Sequence, residues 1–452
     1  MLTIVSTVVV LSVLILVHEL GHFLAAKAVG IQVPRFSLGF GKVLWGFRIG
    51  ETEFVLSAIP LGGYVKMAGM EDDEAAEALE GPGGPAEEVD PERTFDSKSI
   101  PARVLVISAG VIMNFLFAWL IFSIVAFAYG ERRITEMRVS VAGTVATPAG
   151  PALAGIREGA RVTHVGGRPV SDWNTVDSVL TQASGSVELR FADAPPVKVQ
   201  VPAAELERRT ALAALTPWSP PVINSVVSGT PAARAGLREG DRVVQAAGAP
   251  VRSWQELVRT IQSHPGKPLP LVVQRGEQTL RVTVTPDADR VTVPPDGRSL
   301  SIGRVGAAGP RLPYLRETVG VGEAVVTGAR ATWATSAEIV KILRRLIVGE
   351  LSPRNLGGLL SIGEASGETA RLGLEVWLLF LAAFSVNLAV LNLLTIPILD
   401  GGHLMFLAFE AVRGRPLSVE ARIRLSQVGL VIVVALMLWA NGNDIVRIIF
   451  NR

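Results

Sequence analysis

The sequence predicts a multi-pass α-helical membrane protein with four transmembrane helices, a cytoplasmic β-rich region and two tandem domains outside the membrane. Three observations support this fold class. Hydrophobic residues make up 49% of the 452 residues, and the mean hydropathy of +0.40 is high for a soluble protein. Four apolar segments are long enough to cross a bilayer. Between the second and third of these segments, one sequence pattern occurs twice.

The four predicted spans are residues 2–27, 104–129, 374–396 and 425–439. The short loop between the last two contains four arginines, which predicts a cytoplasmic location for that loop. An even number of spans then places both termini outside the cytoplasm. Residues 28–103 are expected inside and the large region 130–370 outside. The arginines are Arg413, Arg415, Arg422 and Arg424.

Charge and cysteine content narrow the possible functions. The net charge of +2 is too small to predict binding of nucleic acid. The chain has no cysteine. Disulfides and cysteine-ligated metals are therefore excluded, and any zinc site must use histidines and carboxylates.

The first span contains the motif His18-Glu19-Leu20-Gly21-His22. On a helix, this spacing places the two imidazoles one turn apart on one face, where both reach a single zinc ion. Glu19 follows the first ligand directly, so it reaches a water bound to the metal. Charged and polar residues are costly inside a membrane span, and they are by default candidates for function.

A third zinc ligand is predicted near the inner end of the third span. The segment from Asn392 to His403 contains Asp400, and Pro397 and Gly401-Gly402 interrupt the helix there. The arginine-based topology places Asp400 at a depth similar to that of the two histidines. His403 is the next candidate for the third ligand.

The β-rich region follows the first span and has a pattern of glycines and alternating apolar residues. Pro60 and Gly62-Gly63 favour an edge strand over a central one. Two interpretations remain open: a small β-layer, or an open edge beside the metal that pairs with the backbone of an extended substrate.

The outer region contains the repeat. Gly155-Ile-Arg-Glu-Gly159 recurs as Gly236-Leu-Arg-Glu-Gly240, and Trp173 corresponds to Trp254 in the same register. Both copies resemble PDZ domains of the bacterial envelope type, which bind chain termini or strands. Peptide capture and steric shielding of the membrane site both remain open. One or two amphipathic helices are predicted over residues 316–349, which either lie at the outer membrane surface or pack as a linker.

The chain as a whole resembles the site-2 protease family of intramembrane zinc metalloproteases, in its regulator-of-sigma-E type. The resemblance covers nearly the whole chain and is specific in its motifs. It differs from the family pattern at Val111, Leu359 and Thr395, where proline is usual. The matching motifs are His18-Glu19-x-x-His22, Gly39-Phe-Gly41, Pro60-Leu-Gly-Gly-Tyr64, Ser108-Ala-Gly110-x-x-x-Asn114-Phe115, the PDZ pair and Asn392…Pro397…Leu399-Asp400-Gly401.

The resemblance implies cleavage of single-pass membrane proteins within the lipid bilayer of the bacterial cytoplasmic (inner) membrane. Implied substrates are an anti-sigma factor already cut on its outer side and remnant signal peptides. His18, His22 and Asp400 are the implied ligands of one Zn²⁺, with Glu19 as the base. Asn392 and the strand residues Gly62, Gly63, Tyr64, Val65 and Lys66 would hold the substrate backbone.

Two other classes of protein compete with the protease. A membrane scaffold with peptide-binding PDZ domains leaves the polar residues of the first span unexplained. A metal transporter needs a polar path through several spans. We expect domains at 1–30 (first span), 31–102 (β-rich loop and acidic linker), 103–130 (second span), 131–215 and 216–292 (PDZ domains), 293–370 (amphipathic helical region), 371–398 (third span), 399–424 (cytoplasmic loop) and 425–452 (fourth span and tail).

Overall fold

The structure is a computed structural model that describes residues 1–70, 89–141, 153, 155–203, 208, 212, 214–227, 229–293, 298–349 and 357–450. The chain divides into two units. The first contains residues 1–130 and 318–452, and the second contains residues 131–317. The acidic segment 71–88 of the predicted linker lies outside the described residues.

The first unit contains the helices that are long enough to span a membrane. Its elements are α1 (Leu2–Ala28), β1 (Arg35–Ile49), β2 (Thr52–Lys66), a 3₁₀ helix (Pro91–Arg93) and α2 (Ile100–Tyr129). After the second unit, the chain returns with α6 (Val321–Ile347), α7 (Leu359–Leu372), α8 (Leu374–Asn392), α9 (Asp400–Arg413) and α10 (Val419–Phe450).

Within the described residues, four helices are long and apolar enough to cross a membrane: Leu2–Ala28, Ile100–Tyr129, Leu374–Asn392 and Glu420–Val446. This confirms the four predicted spans. The third ends at Asn392 rather than at residue 396, because the residue preceding a proline disfavours helical geometry and Pro397 follows closely. The fourth is longer than predicted and includes Arg422 and Arg424 in its first turns.

α1 and α2 pack closely through small residues. A Cβ atom added to Gly21 would overlap the carbonyl oxygen of Ala109 on α2. Small residues let the backbones of membrane helices approach each other, which van der Waals packing then stabilises. The N-terminal end of α2 also binds α9, since the Arg103 guanidinium donates to both carboxylate oxygens of Glu410. These contacts hold α1, α2 and α9 together around the polar motif of the first span.

The amphipathic helix α6 packs along α2. A Cβ atom on Gly328 would overlap Ser123 Oγ, and Trp119 Nε1 donates to the Val325 carbonyl at 3.0 Å. Ile339 and Leu343 also pack against a cluster formed by α2 and α8. α6 therefore packs against α2 and α8, and its location at the outer membrane surface stays a prediction.

The sheet formed by β1 and β2 has four segments because both strands bend. Residues 35–38 pair with 53–56 on one side and with 63–66 on the other. Residues 52–56 also pair with 45–49. The resulting order is 45–49, 52–56, 35–38, 63–66. Among the described residues, 63–66 has a strand partner on one side alone, so it is an edge.

The second unit consists of strands and short helices in two similar halves. The first half contains β3 (Glu131–Ile134), β4 (Val139–Val141), β5 (Val162–Val165), β6 (Arg168–Pro169), α3 (Trp173–Gln182), β7 (Gly185–Phe191), β8 (Val197–Val201) and β9 (Leu215–Pro217). The second contains β10 (Ser225–Val226), α4 (Pro231–Arg234), β11 (Arg242–Ala246), β12 (Ala249–Pro250), α5 (Trp254–Gln262), β13 (Leu269–Arg275), β14 (Gln278–Val284), β15 (Asp287–Val293), β16 (Arg298–Arg304), β17 (Ala307–Ala308) and β18 (Tyr314–Glu317).

The two copies of the sequence repeat have the same strand order. One sheet runs β6-β5-β7-β8 and the other β12-β11-β13-β14. The repeated tryptophan begins a helix in each copy, and the residue before it, Asp172 or Ser253, accepts a backbone N–H three residues later. Such caps satisfy donors that the helix itself leaves unpaired. Each copy also has its own core of buried aliphatic side chains.

Candidate metal centre

Helical spacing brings the two motif histidines of α1 together. His18 Nε2 and His22 Nε2 are 3.2 Å apart. Both residues are buried, with 8% and 7% of their surface exposed, so bulk water is largely excluded from them. The two nitrogens point to the same place, as the four-residue spacing predicts.

Asp400 is the third member of this cluster. Its Oδ2 lies 3.3 Å from His18 Nε2, and its Oδ1 lies 3.6 Å from His22 Nε2. Asp400 opens α9, and the two glycines that follow allow the helix to begin against the preceding loop. Cβ atoms on Gly401 and Gly402 would overlap carbonyl oxygens of that loop.

The loop before Asp400 is a series of tight turns. The N–H of Ile396 donates to the Leu394 carbonyl at 2.8 Å, and the N–H of Leu399 donates to the Ile396 carbonyl at 2.9 Å. The chain therefore bends although Thr395 stands where the family pattern has proline, and Pro397 and the glycine pair lie within or directly after this bend.

The three residues fit a zinc ion. Tetrahedral zinc with bonds of about 2.0–2.1 Å has ligand atoms about 3.3–3.4 Å apart, close to the separations of His18 Nε2 from His22 Nε2 and from Asp400 Oδ2. Asp400 Oδ2 is buried and has no hydrogen-bond partner among the described residues, which is costly unless a cation compensates it. Two histidines and one carboxylate are a known donor set for catalytic zinc, which keeps a fourth position open.

α2 supplies groups around the imidazoles. His22 Nδ1 lies 2.8 Å from the Val106 carbonyl oxygen, so its N–H donates there and Nε2 keeps a lone pair for a metal. A Cβ atom on Gly110 would be 2.7 Å from His18 Cε1 and would overlap His22 Nε2. Asn114 Nδ2 lies 3.2 Å from His18 Nδ1. The resemblance to the family implies that Asn114 packs against the helix of the two histidines, but the sequence does not predict its contact with His18 in particular.

A cavity of about 270 Å³ joins the cluster to the sheet edge. The three metal donors, Glu19 and Asn392 line it together with Gly63, Tyr64 and Val65 of β2. Asn392 Nδ2 lies 3.3 Å from His18 Nε2. His403 also lines the cavity but is not among the three clustered donors. Of the predicted strand residues, Gly62 packs against the Phe40 ring, and Lys66 pairs with Arg35 in the sheet.

Comparison with known proteins identifies the family. The model of peptidase family M50 matches residues 6–436. A protein of Pasteurella multocida strain Pm70 whose name describes a zinc metalloprotease is 37% identical over 463 residues, covering 98% of both chains. The regulator of sigma-E protease RseP of Escherichia coli strain K12 is 35% identical over 471 residues, again covering 98% of both. The corresponding protein of Salmonella typhimurium strain 14028s is 34% identical over 464 residues.

This similarity covers almost the whole chain, including α1 with its two histidines and α9 with Asp400. A membrane scaffold without enzymatic activity is therefore excluded. The chain belongs to peptidase family M50 and is a membrane-spanning zinc metalloprotease of the site-2 type.

Proposed function

We propose that the protein cleaves single-pass membrane proteins inside their membrane-spanning segments. In this proposal His18, His22 and Asp400 hold one zinc ion, and Glu19 is the general base. One observation supports it above all: the three metal donors, Glu19 and an open sheet edge line the same cavity. The cavity thus combines the groups that hydrolyse a peptide bond with a surface that holds an extended chain.

Glu19 performs the proton transfers in this mechanism. Bound zinc supplies an activated water and a Lewis acid that polarises the scissile carbonyl. Glu19 accepts a proton from the attacking water and delivers it to the nitrogen of the leaving amine. Glu19 lies against the sheet edge, since a Cβ atom on Gly63 would be 3.1 Å from its Cγ. A chain paired with this edge therefore runs directly past the carboxylate.

The edge segment 63–66 and Asn392 hold the substrate. Peptide groups of a membrane helix are hydrogen-bonded within the helix, so the substrate unwinds before attack and leaves its backbone N–H and C=O groups unpaired. Segment 63–66 pairs with residues 35–38 on one side, and a substrate strand added at its other side would find partners for those groups. The Asn392 amide, beside His18 Nε2, donates to the carbonyl at the site of cleavage.

The proposed orientation is based on the arginine-rich loop predicted between the third and fourth spans, whose four arginines lie at the end of α9, in the connection after it and in the first turns of α10. With that loop in the cytoplasm, the inner ends of α1, α2 and α8 lie on the cytoplasmic side of the bacterial inner membrane. The metal donors lie near those inner ends. The second unit is then extracytoplasmic, and its two repeats, bounded at 131–215 and 216–292, are PDZ domains that bind substrate termini or exclude large substrates.

The proposed substrates follow from the resemblance to the family. Relatives are named as regulators of sigma-E. An anti-sigma factor whose outer domain has already been removed is the first substrate class, and remnant signal peptides are the second. Both are single helices that would enter the cavity from the bilayer.

Cross-linking tests the proposed substrate edge, and the absence of cysteine from the natural chain removes all background. In the Glu19→Gln protein, Val65→Cys is combined with single cysteines placed along the span of a substrate. We expect disulfides at a few neighbouring substrate positions. The matched control is Phe47→Cys on the opposite edge of the same sheet. Equal cross-linking at residue 47, or none at residue 65, would contradict the proposal.

A further inference from the structure

Asn114 is a fully buried polar residue in the middle of α2. Its Nδ2 lies 3.2 Å from His18 Nδ1, and its Oδ1 is buried with no hydrogen-bond partner among the described residues. An amide oxygen left unpaired inside a protein is unfavourable. Rotation of the carboxamide by 180° exchanges the two atoms and brings Oδ1 to His18.

The chemistry of His18 distinguishes the two carboxamide orientations. If the amide N–H donates to Nδ1, a neutral His18 carries its proton on Nε2. Nε2 is the atom that faces His22 Nε2 at 3.2 Å and Asp400 Oδ2 at 3.3 Å, and a protonated nitrogen cannot bind a metal. If Oδ1 instead accepts the proton of Nδ1, then Nε2 has a free lone pair.

Three residues of α2 that contact the two imidazoles form a regular row along the helix. Val106, Gly110 and Asn114 are spaced by four residues, which places them on the side of α2 that faces α1. The Val106 carbonyl accepts from His22 Nδ1, and Gly110 leaves room for both imidazoles. The Ser385 hydroxyl of α8 donates to the backbone carbonyl of Asn114 at 2.9 Å. α2 is thereby fixed against α8 at this residue.

We propose that Asn114 is a positioning residue whose Oδ1 accepts the Nδ1 proton of His18 and so directs Nε2 to the zinc ion. The inference rests on the proposed function of His18 as a zinc ligand. Val106 performs the same task for His22 through its backbone. Because a backbone carbonyl cannot be removed by mutation, Asn114 is the partner through which this row can be tested.

Zinc affinity, measured by competition with a chelator, tests the role of Asn114. Asn114→Leu removes the acceptor at similar size, and we expect the affinity to fall roughly 10–100-fold. Asn114→Asp keeps an acceptor and should retain most of the affinity. The matched control is Ser366→Ala, which removes another fully buried polar contact to α1, at Ser6. Wild-type affinity in Asn114→Leu, or an equal loss in Asn114→Asp, would overturn the inference.

Two further measurements keep the result interpretable. The ¹⁵N spectrum of histidine-labelled wild-type protein without metal should show a proton on His18 Nδ1. A proton on Nε2 alone would refute the role of Asn114 even if the Asn114→Leu variant fails to fold.

The His18→Ala variant separates this inference from the proposed function. Loss of zinc in His18→Ala with unchanged affinity in Asn114→Leu rejects the positioning role alone, while unchanged affinity in His18→Ala rejects the ligand assignment as well.

Discussion

Gly110 of α2 has no side chain, and this leaves the space that His18 and His22 occupy. A Cβ atom there would overlap His22 Nε2. We expect Gly110→Ala to lower zinc affinity by at least about tenfold, as loss of an outer partner of a ligand does. Gly322→Ala on α6 is the control, since nothing lies within 4 Å of its added Cβ. Equal zinc affinity in the two variants would show that the site has room for the methyl group.

Asp400 and His403 offer a direct comparison between two candidates for the third ligand. Asp400→Ala should lower the zinc content of the purified protein, because its carboxylate lies 3.3 and 3.6 Å from the two imidazole nitrogens. His403→Ala should keep one zinc per chain, since His403 lines the cavity without joining the cluster. Metal analysis of both purified proteins distinguishes the two candidates. Loss of zinc in His403→Ala with full zinc content in Asp400→Ala would assign the third ligand to His403.

At the level of elements, the second repeat has a buried carboxylate at a position where the first repeat has an apolar residue. The second repeat has Asp241, whose carboxylate accepts from Arg275 Nε at 2.7 Å, where the first repeat has the buried Ala160. Burial raises the pKa of Asp241, but hydrogen bonds from Arg275 and the Arg238 N–H outweigh burial and lower it. Its stabilising contribution is therefore complete above the unfolded pKa of about 3.9 and is lost as the pH falls through the lower folded value.

Acid unfolding of the second repeat tests this contribution. Without its Arg275 partner, Asp241 has a higher pKa, so Arg275→Met should unfold the repeat at a higher pH than wild type. Pepsin cleavage of the full-length protein over a series of acidic pH values gives the midpoint. Arg304→Met is the control because its ion pair with Asp289 is largely exposed, and exposed pairs contribute little. Equal midpoints for both variants would contradict the assigned contribution.

The sequence predicts the local parts of this structure well and the pairing of distant parts less well. The four-residue spacing in α1 predicts that His18 and His22 meet, and the position of Pro397 predicts an irregular backbone before Asp400. The double pairing of residues 35–38 is not visible in the sequence, because alternation gives the face of each residue but not its neighbouring strand. The contact between Asn114 and His18 depends on how α1 and α2 pack, which apolar sequence patterns do not specify.

At the level of the whole molecule, the arginine-rich loop predicted between the third and fourth spans places that part of the chain in the cytoplasm and the second unit outside it. Single cysteines in the cysteine-free chain test it with a membrane-impermeant thiol reagent on intact spheroplasts. Glu277→Cys, in the exposed turn between β13 and β14, should react from outside. Val412→Cys, which is 92% exposed near the end of α9, should react after lysis alone. Labelling of residue 412 in intact spheroplasts would show that the orientation is the opposite of the one proposed.

The central claim is that one zinc ion and Glu19 hydrolyse a peptide bond within a membrane span. The most direct test uses purified wild-type and Glu19→Gln proteins, each loaded with one zinc, and a single-pass substrate whose products are mapped by mass spectrometry. We expect wild type to cut inside the span and Glu19→Gln to bind zinc equally well while losing about 10²–10⁴-fold in rate. Wild-type rates in zinc-loaded Glu19→Gln, or cleavage confined to residues outside the span, would contradict the account.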